Sequence, residues 1–475
     1  MAFTFVDLFA GIGGFHAALD SLGGECVLAS EIDEAAVRVY QRNWGTGRGR
    51  PNIMHGDITQ LAPDEGAVVV PAHDVLVAGF PCQPFSKSGA QEGVRDTTRG
   101  TLFFNILRII EERKPSIVLL ENVRNLAGPR HRQTWATIIR TLREAGYRVS
   151  ATPTVFSPHL LPPEFGGTPQ VRERVFIAGV YVGIERAMQE IDVVPVLPKA
   201  PLSSWDPSEW SIADTPLRVT NGRPLLLSDD EIPNVGDYRL SLNETRWIDA
   251  WDDFVQRMWE ARQGVRLPGF PLWADDWVHI ESLRIPAGTP KWKADFLRKN
   301  SKFYTDHRST IDGWLEDWDH LKDFPPSRRK LEWQAQDASR LWDCVMHFRP
   351  SGIRAKRPTY LPALVAITQT SIIGPRKRRL TPREAARLQG LPDWFDFGGQ
   401  RDSLTYRQLG NGVSVDVVFR VLSEFIHQNR FDLPKHIVES VIENGRCVPL
   451  EAAPVLADEN LDSWLGVGEM TGSRV

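Results

Sequence analysis

Over the first 185 residues, short apolar runs alternate with amphipathic stretches. Helical periodicity of apolar positions appears at 14–22, 34–43, 102–112 and 134–145. The runs between these stretches are typical of strands, at 3–10, 26–30, 74–80, 116–122, 147–156 and 174–182. Repeated strand and helix units of this length predict an α/β fold with a doubly wound, mostly parallel sheet. Residues 75–78, Val-Leu-Val-Ala, predict a strand buried on both faces.

Length and composition indicate an ordinary protein of two domains. The 475 residues exceed the size at which one core keeps growing, and 42% are hydrophobic and 24% charged. The sequence predicts no signal peptide and no uninterrupted run of membrane-spanning length. The four cysteines, Cys26, Cys82, Cys344 and Cys447, form no paired motif, which argues against a zinc site or disulfides and fits the cytoplasm.

Charge is unevenly distributed. The net charge of −4 does not by itself indicate a nucleic-acid partner. Residues 349–387, however, contain ten Lys and Arg residues, and Glu384 is the one acid among them. This excess fits either a stripe that faces phosphates or a solvated basic surface, and the two interpretations stay open.

Cys82 stands out in the stretch VLVAGFPCQPFSKSG. It follows the predicted buried strand, and ligands of open α/β sheets bind beyond the carboxyl ends of the strands. Pro81 and Pro84 stiffen the loop, which suits a nucleophile. A small apolar packing residue is the alternative, but Gln83, Ser86 and Lys87 make the surroundings polar.

The end of the first strand carries a glycine-rich turn, Phe9-Ala-Gly-Ile-Gly-Gly14, directly before a helix. Such a turn lets the backbone approach a ligand closely. Glu31 ends the second strand, where a carboxylate can accept from ribose hydroxyls, and Asp57 is placed to accept from an adenine amine. An adenosine-containing cofactor explains all three features, although each acid could instead cap a helix.

Two further segments carry candidate side chains. Glu121 ends the strand that is predicted beside the Cys82 strand and would enter the same crevice, unless it caps a helix. In Gln170-Val-Arg-Glu-Arg174, alternation puts Arg172 and Arg174 on one side of an extended segment. Two guanidiniums can hold a carboxylate or phosphate, and a structural salt bridge is the alternative.

Taken in order, these segments resemble the motifs of the cytosine-5 DNA methyltransferases of bacterial type II modification systems. The matching stretches are FAGIGG, Glu31, GDIT, GFPCQPFS, ENV, QVRER, RLTPREAARLQGLP and QLGNGVSVDVV, within residues 5–180 and about 345–425. The resemblance implies a Rossmann-like sheet dependent on S-adenosylmethionine, with a second, smaller target-recognition domain. The implied division is a catalytic domain over 1–185, a target-recognition domain over 186–395, a return to the catalytic domain over 396–430 and an extension over 431–475.

The resemblance also implies roles for single residues. Cys82 would attack carbon 6 of cytosine, Glu121 would protonate or hydrogen-bond ring nitrogen 3, and Arg172 would contact the carbonyl oxygen of the base. Arg174 is expected to be structural, paired with a neighbouring acid. Residues 86–99 would form a lid over the flipped base. No metal is expected, and the implied contacts to S-adenosylmethionine are Phe9, Gly11, Ile12, Gly14, Glu31, Asp57, Ile58, Pro81, Leu102, Asn411 and Val413.

The regular alternation lapses between 184 and about 349, where twelve of the sixteen tryptophans lie. In the family, this region reads bases in the major groove. Residues 291–308 are basic and aromatic and could contact the DNA backbone. Further on, Thr381 is predicted to cap a helix whose first residue is Pro382.

The expected function is therefore methyl transfer to carbon 5 of cytosine in a specific double-stranded DNA sequence. By resemblance, the enzyme would be a monomer in the bacterial cytoplasm that protects host DNA from a restriction endonuclease without a stable complex. An RNA (tRNA) cytosine-5 methyltransferase is the alternative within the family. A silent DNA-binding scaffold and a dinucleotide oxidoreductase with a redox cysteine are alternatives from other classes.

Overall fold

Two β-sheets organise the chain in the computed structural model, which describes residues 2–45, 53–81, 102–364 and 370–443. The first sheet has eight strands in the order β3-β2-β1-β4-β5-β9-β6, with β7 also on β9. Its strands are β1 (Phe3–Leu8), β2 (Gly24–Ser30), β3 (Met54–His55), β4 (Val75–Gly79), β5 (Ile117–Val123), β6 (Tyr147–Val149), β7 (Thr154–Phe156) and β9 (Arg174–Tyr181).

Helices cover both faces of the first sheet. The helices of this part of the chain are α1 (Gly14–Ser21), α2 (Glu34–Trp44), α3 (Ile58–Leu61), α4 (Leu102–Arg113), α5 (Arg132–Glu144) and α6 (Ile184–Gln189). Alternate residues of β4 belong to two separate apolar clusters, Val75 and Val77 to one and Leu76 and Ala78 to the other. The prediction that this strand is buried on both faces is confirmed, and the α/β fold class with it.

The first five strands of the sheet are parallel, and β9 runs antiparallel to its neighbours β5, β6 and β7. The single strand predicted at 147–156 was wrong in one respect, because it is two strands that pair with opposite ends of β9. Pro153 lies between them and supplies no backbone donor for a continuous ladder.

The second sheet has six strands in the order β10-β11-β13-β12-β15-β16. They are β10 (Leu272–Trp273), β11 (Lys330–Gln334), β12 (Val345–Arg349), β13 (Gly352–Lys356), β15 (Ile372–Ile373) and β16 (Arg378–Arg379). One face packs in a core of its own with α7 (Leu242–Ala261), α8 (Lys291–Asp306) and α9 (Arg308–Asp317). Trp251 and Trp314 are fully buried in this core, each with its indole nitrogen bonded to a backbone carbonyl.

A third sheet of two strands and a side-chain hydrogen bond link distant parts of the chain. Strand β8 (Gln170–Val171) pairs in parallel with β14 (Leu361–Pro362), and the Thr168 hydroxyl donates to the Leu388 carbonyl over 2.9 Å. Beyond β16 the chain forms α10 (Pro382–Leu388), α11 (Asp402–Asn411), α12 (Val415–Gln428) and α13 (Lys435–Val438). Thr381 caps α10, as predicted, and Glu384 reaches back to complete a capping box. No helix in the described ranges is both long and apolar enough to cross a membrane.

Candidate active site

The glycine turn after β1 forms one wall of a cavity. Gly13 has a φ of 92°, and a β-carbon there would come within 2.2 Å of the Trp44 ring nitrogen. A β-carbon on Gly14 would come within 2.8 Å of a Val413 methyl carbon. Glycine is therefore required at both positions by its neighbours, and Val413 lies directly against the turn.

Glu31 follows β2 and is held by backbone amides. One carboxylate oxygen accepts from the Gly11 amide over 2.8 Å, and the other accepts from the amides of Ile32 and Asp33 at the same distance. The three amides use both lone pairs of the second oxygen and one lone pair of the oxygen that accepts from Gly11. The carboxylate is thus fixed at the rim of the cavity, and its first oxygen keeps acceptor capacity for a ligand hydroxyl.

The cavity brings together most of the predicted cofactor residues, which come from far-separated parts of the sequence. Phe9, Gly11, Ile12, Gly14, Glu31, Asn411 and Val413 line it, together with Glu121 and Gly79. Four predicted residues do not line it. Asp57 caps α3 by accepting from the Thr59 amide over 2.9 Å, Ile58 is buried in the core, Leu102 begins α4, and Pro81 is exposed at the end of a described range.

Sequence reasoning missed three polar residues at the cavity, Asp33, Arg407 and Gln408. The Asp33 carboxylate caps α2 and also accepts from the Arg407 guanidinium over 2.8 Å. This ion pair ties α11 to α2 beside Glu31. No local pattern could have revealed it, because the two residues are 374 positions apart.

Glu121 lies opposite Gly79 in the pairing of β5 with β4. Its side chain lines the cavity, and the residue is 8% exposed. Burial raises the pKa of this carboxyl, and the positive charges of Arg174 and Arg172 partly oppose that rise. The raised pKa keeps a proton available closer to neutral pH than at an exposed glutamate.

The two candidate arginines point to different partners. The Arg174 Nε lies 3.0 Å from a Glu121 oxygen. Arg172, by contrast, donates to main-chain carbonyls of Leu364, Gly410 and Gly412 and is 2% exposed. The Arg172 guanidinium therefore holds the turn on either side of Asn411, and its expected contact with the base stays a prediction.

The two arginines have different partners because the backbone between them is interrupted. Strand β8 ends at Val171 and β9 begins at Arg174, so the segment is not one continuous strand. The simple alternation that put both guanidiniums on one side therefore does not apply. Burial and the neighbouring charge of Arg174 lower the pKa of Arg172 to about 9.

Asn122 is a further residue that the sequence did not assign. It is 3% exposed, and its side-chain amide donates to the Phe80 carbonyl over 2.8 Å. This bond fixes the backbone two residues before Cys82. Cys82 itself and the predicted lid at 86–99 lie outside the described residues.

Of the other cysteines, two are described, and neither lines the cavity. Cys344 is fully buried in the second core, and burial raises the pKa of its thiol to about 12. Cys26 lies near the Tyr40 hydroxyl, on β2. Neither thiol is placed to attack a ligand in the cavity.

The sequence is similar to known proteins over most of its length. Residues 3–427 match the family model described as C-5 cytosine-specific DNA methylase. The chain is 50% identical to the type II methyltransferase M.AluI of Cellulosimicrobium cellulans over 90% of this chain and 92% of that protein. It is 40% identical to M.HgiBI of Herpetosiphon aurantiacus, covering 88% of this chain and 95% of that one.

Solved structures show more distant similarity. A DNMT2 mutant of Spodoptera frugiperda aligns over 90% of this chain and all of that chain, with 17% identity and a TM-score of 0.44. The assignment rests on the family model, which spans most of the sequence, and on the full-length relatives. The chain belongs to the family of C-5 cytosine-specific DNA methylases and is a methyltransferase of the type II restriction-modification kind.

Proposed function

We propose that this protein transfers a methyl group from S-adenosylmethionine to carbon 5 of a flipped cytosine in a specific duplex DNA sequence. The observation that carries the proposal is one cavity that holds both the Glu31 carboxylate and the Glu121 carboxyl. The Glu31 carboxylate can accept a hydrogen bond from a hydroxyl of an adenosyl ribose, and the Glu121 carboxyl can donate one to a pyrimidine ring.

The residues around the glycine turn fit the cofactor. The open space above Gly11, where a β-carbon would meet no atom within 4 Å, leaves room for a ligand against the backbone. Glu31 would accept from the ribose hydroxyls, and Phe9, Ile12 and Val413 would supply apolar contacts. Asp57, Ile58, Pro81, Leu102 and Asn411 stay expected contacts, and S-adenosylmethionine would supply an electrophilic methyl group on a sulfonium centre.

Cys82 is the proposed nucleophile. It follows Pro81 directly, three residues after Gly79, which lies opposite Glu121. Three residues span at most about 11 Å, so the chain keeps the thiol near the cavity. Addition of the thiolate to carbon 6 pushes electron density into the ring, and carbon 5 becomes nucleophilic. Loss of the carbon 5 proton and departure of Cys82 would complete the cycle.

Glu121 would donate its proton or a hydrogen bond to ring nitrogen 3 as charge develops there. Arg174 would orient the Glu121 carboxyl through the 3.0 Å contact between its Nε and a carboxyl oxygen. Arg172 would act as a positioning residue, because it holds the carbonyls that flank Asn411. The expected contact between Arg172 and the base stays a prediction.

We also propose a division of the chain into two domains. Buried residues within 196–226 and 380–391 pack in the core of the first sheet. We therefore place the limits of the target-recognition domain near 228 and 379, inside the 186 and 395 expected from sequence. Residues 396–430 belong with the catalytic domain, and no role is proposed for the extension from 431.

Substrate tests separate DNA from RNA. Purified protein is incubated with labelled S-adenosylmethionine and either duplex DNA or tRNA. Label in duplex DNA alone is expected, and label in tRNA alone would overturn the proposal. Cys82→Ser should abolish labelling and leave cofactor affinity close to wild type, since serine keeps the loop but lacks a thiolate.

The site of methylation can be read by bisulfite sequencing of plasmid from cells that express the protein. Because the 50% identity to M.AluI extends over nearly the whole chain, the pattern should be compared with that of plasmid modified by M.AluI. We propose that the protein acts as a monomer in the bacterial cytoplasm and protects DNA from a matching endonuclease without a stable complex. Light scattering of the purified protein tests the first of these points.

A further inference from the structure

The second sheet has one apolar face and one charged face. Alternation along β12 and β13 sends Met346, Phe348, Ile353 and Ala355 into the core beneath the sheet. The opposite face carries His347 and Arg349 from β12 with Arg354 and Lys356 from β13, and His347 lies directly across from Arg354. We call these four residues the cationic face.

Positive charge on the cationic face exceeds the negative charge beside it. Glu332 of β11 accepts from the Arg354 Nε over 2.6 Å and neutralises that residue. Within the described ranges, neither Arg349 nor Lys356 makes an ion pair. Two positive charges are therefore left without a paired carboxylate.

Holding these cations together has an electrostatic cost. Lys356 and Arg349 are both half-buried, and burial together with the nearby Arg354 lowers the pKa of each, although the charge of Glu332 partly opposes the shift at Arg349. The same burial and charges lower the pKa of His347 to about 4, so its ring is neutral at pH 7 and bonds to the Ser371 hydroxyl over 2.7 Å. An anionic ligand would relieve this repulsion.

The cationic face is turned toward the first sheet. Val345 and Ile373 share that face by register, and both pack in the apolar cluster of the first sheet. From Lys356 the chain runs five residues to Leu361, which pairs with Gln170. Five residues span at most about 18 Å. The face therefore borders the side of the molecule on which Arg172 and the cavity lie.

The basic helix α8 is only partly neutralised. Two of its five cations, Lys299 and Lys302, pair with acids of the same helix, and the other three make no ion pair within the described residues. The segment 291–308, which the sequence suggested as a backbone contact, therefore stays a candidate. The cationic face differs from it because its cations are half-buried and lie on the side of the second sheet that packs toward the first.

We propose that the cationic face binds the phosphate backbone of duplex DNA through Arg349 and Lys356 and holds the duplex against the cavity. The inference rests on the proposed function for the identity of the polyanion. Phosphate contacts fix the position of a protein on DNA and do not depend on base sequence. The face would thus contribute to affinity for any duplex and to the placement of the target base.

The test is the salt dependence of DNA binding by the full-length protein. Dissociation constants for a mixed-sequence duplex are measured over a range of salt concentrations for wild type and for Arg349→Gln with Lys356→Gln. Each phosphate contact contributes about 0.9 to the slope of log affinity against log salt concentration. The slope should therefore fall by about 1.8, with cofactor affinity unchanged.

A matched control removes two exposed positive charges elsewhere, by Arg430→Gln with Lys435→Gln. The control should keep the wild-type slope. An unchanged slope in the Arg349 and Lys356 variant would contradict the proposal. A loss of DNA affinity confined to duplexes that contain the methylated sequence would also contradict it, because that result would assign the face to base reading. If the double variant shows the smaller slope while the wild-type protein methylates no DNA, the phosphate-binding role of the face is supported and only the proposed function is rejected.

Thermal unfolding distinguishes binding from a structural role. Because the two cations repel their neighbours, the double variant should unfold at the wild-type temperature or above it. A lowered unfolding temperature would show that the cations stabilise the sheet, and that result also counts against the proposal.

Discussion

At the scale of single residues, Glu121 and Arg174 form the chemical centre of the described site. A carboxyl that is almost fully buried would be expected to stay protonated, and the guanidinium 3.0 Å away moderates that tendency. The pair therefore combines an available proton with a fixed orientation. Both properties suit a group that must protonate or hydrogen-bond a ring nitrogen as charge develops on it.

Glu121→Gln tests the need for that proton. The amide keeps the size of the side chain but cannot act as an acid, so the turnover rate should fall about 100-fold or more. Cofactor affinity, measured by calorimetry, should change little. Glu173→Gln is the control, because Glu173 is a partly exposed neighbour that pairs with Arg124, and it should retain activity. Near wild-type turnover in Glu121→Gln would remove the acid from the mechanism.

Substitutions of Arg172 and of Arg174 should affect different kinetic constants. Arg172→Lys loses the forked contact to the carbonyls on either side of Asn411, so KM for the cofactor should rise several-fold with a smaller effect on kcat. Arg174→Lys loses the fixed geometry at Glu121, so kcat should fall instead. Steady-state kinetics of the two variants provide the measurement. The reverse pattern would indicate that Arg172 contacts the base.

At the scale of elements, glycines and a buried carboxyl pack where α12 begins. A β-carbon on Gly166 or on Gly390 would come within 2.5 Å of an Asp416 oxygen, and both residues have positive φ. The Asp416 Oδ2 is buried with no hydrogen-bond partner in the described structure. Burial raises the pKa of this carboxyl to about 7. Ionisation of Asp416 at the start of α12 therefore lowers the free energy of unfolding as the pH rises, at a position close to the cavity.

Comparison with Asp416→Asn should reveal this pH-dependent loss of stability. Below about pH 4 the carboxyl is protonated in both folded and unfolded chains. Between about pH 4 and pH 7 the unfolded chain ionises while the folded chain keeps its proton, so the stability of wild type relative to the variant should fall with pH and then level off. Denaturant unfolding at a series of pH values measures this difference. A difference that does not vary with pH, or one that grows in favour of wild type, would show that the carboxylate is stabilised.

The elements that sequence could predict are those with a strong local signal. The apolar runs of β1, β4 and β5 and the capping box of α10 are readable because each lies within a few residues. The second sheet was not predicted, because its strands are two to five residues long and are separated by irregular segments. The break between Val171 and Arg174 was missed for the same reason, since two residues carry no periodicity.

At the scale of the whole molecule, the site depends on contacts between distant segments. The cavity is closed by α11 and the following Gly412 and Val413 against the glycine turn, and Asp33 pairs with Arg407 across it. Ordered motifs indicated which residues belong to the site, and the structure shows which of them share a cavity. Contacts such as the Arg172 bonds to Gly410 and Gly412 arise only when the chain returns to the first sheet.

The central claim is that Cys82 bonds covalently to a cytosine extruded from duplex DNA. Duplex DNA that contains 5-fluorocytosine is incubated with the protein and S-adenosylmethionine, since fluorine in place of the carbon 5 proton blocks release of the thiol. Peptide mass mapping should then find a stable adduct on Cys82 in wild type and none in Cys82→Ser. An absence of adduct on wild-type protein that methylates ordinary DNA, or an adduct on Cys26 or Cys344 instead, would contradict the account.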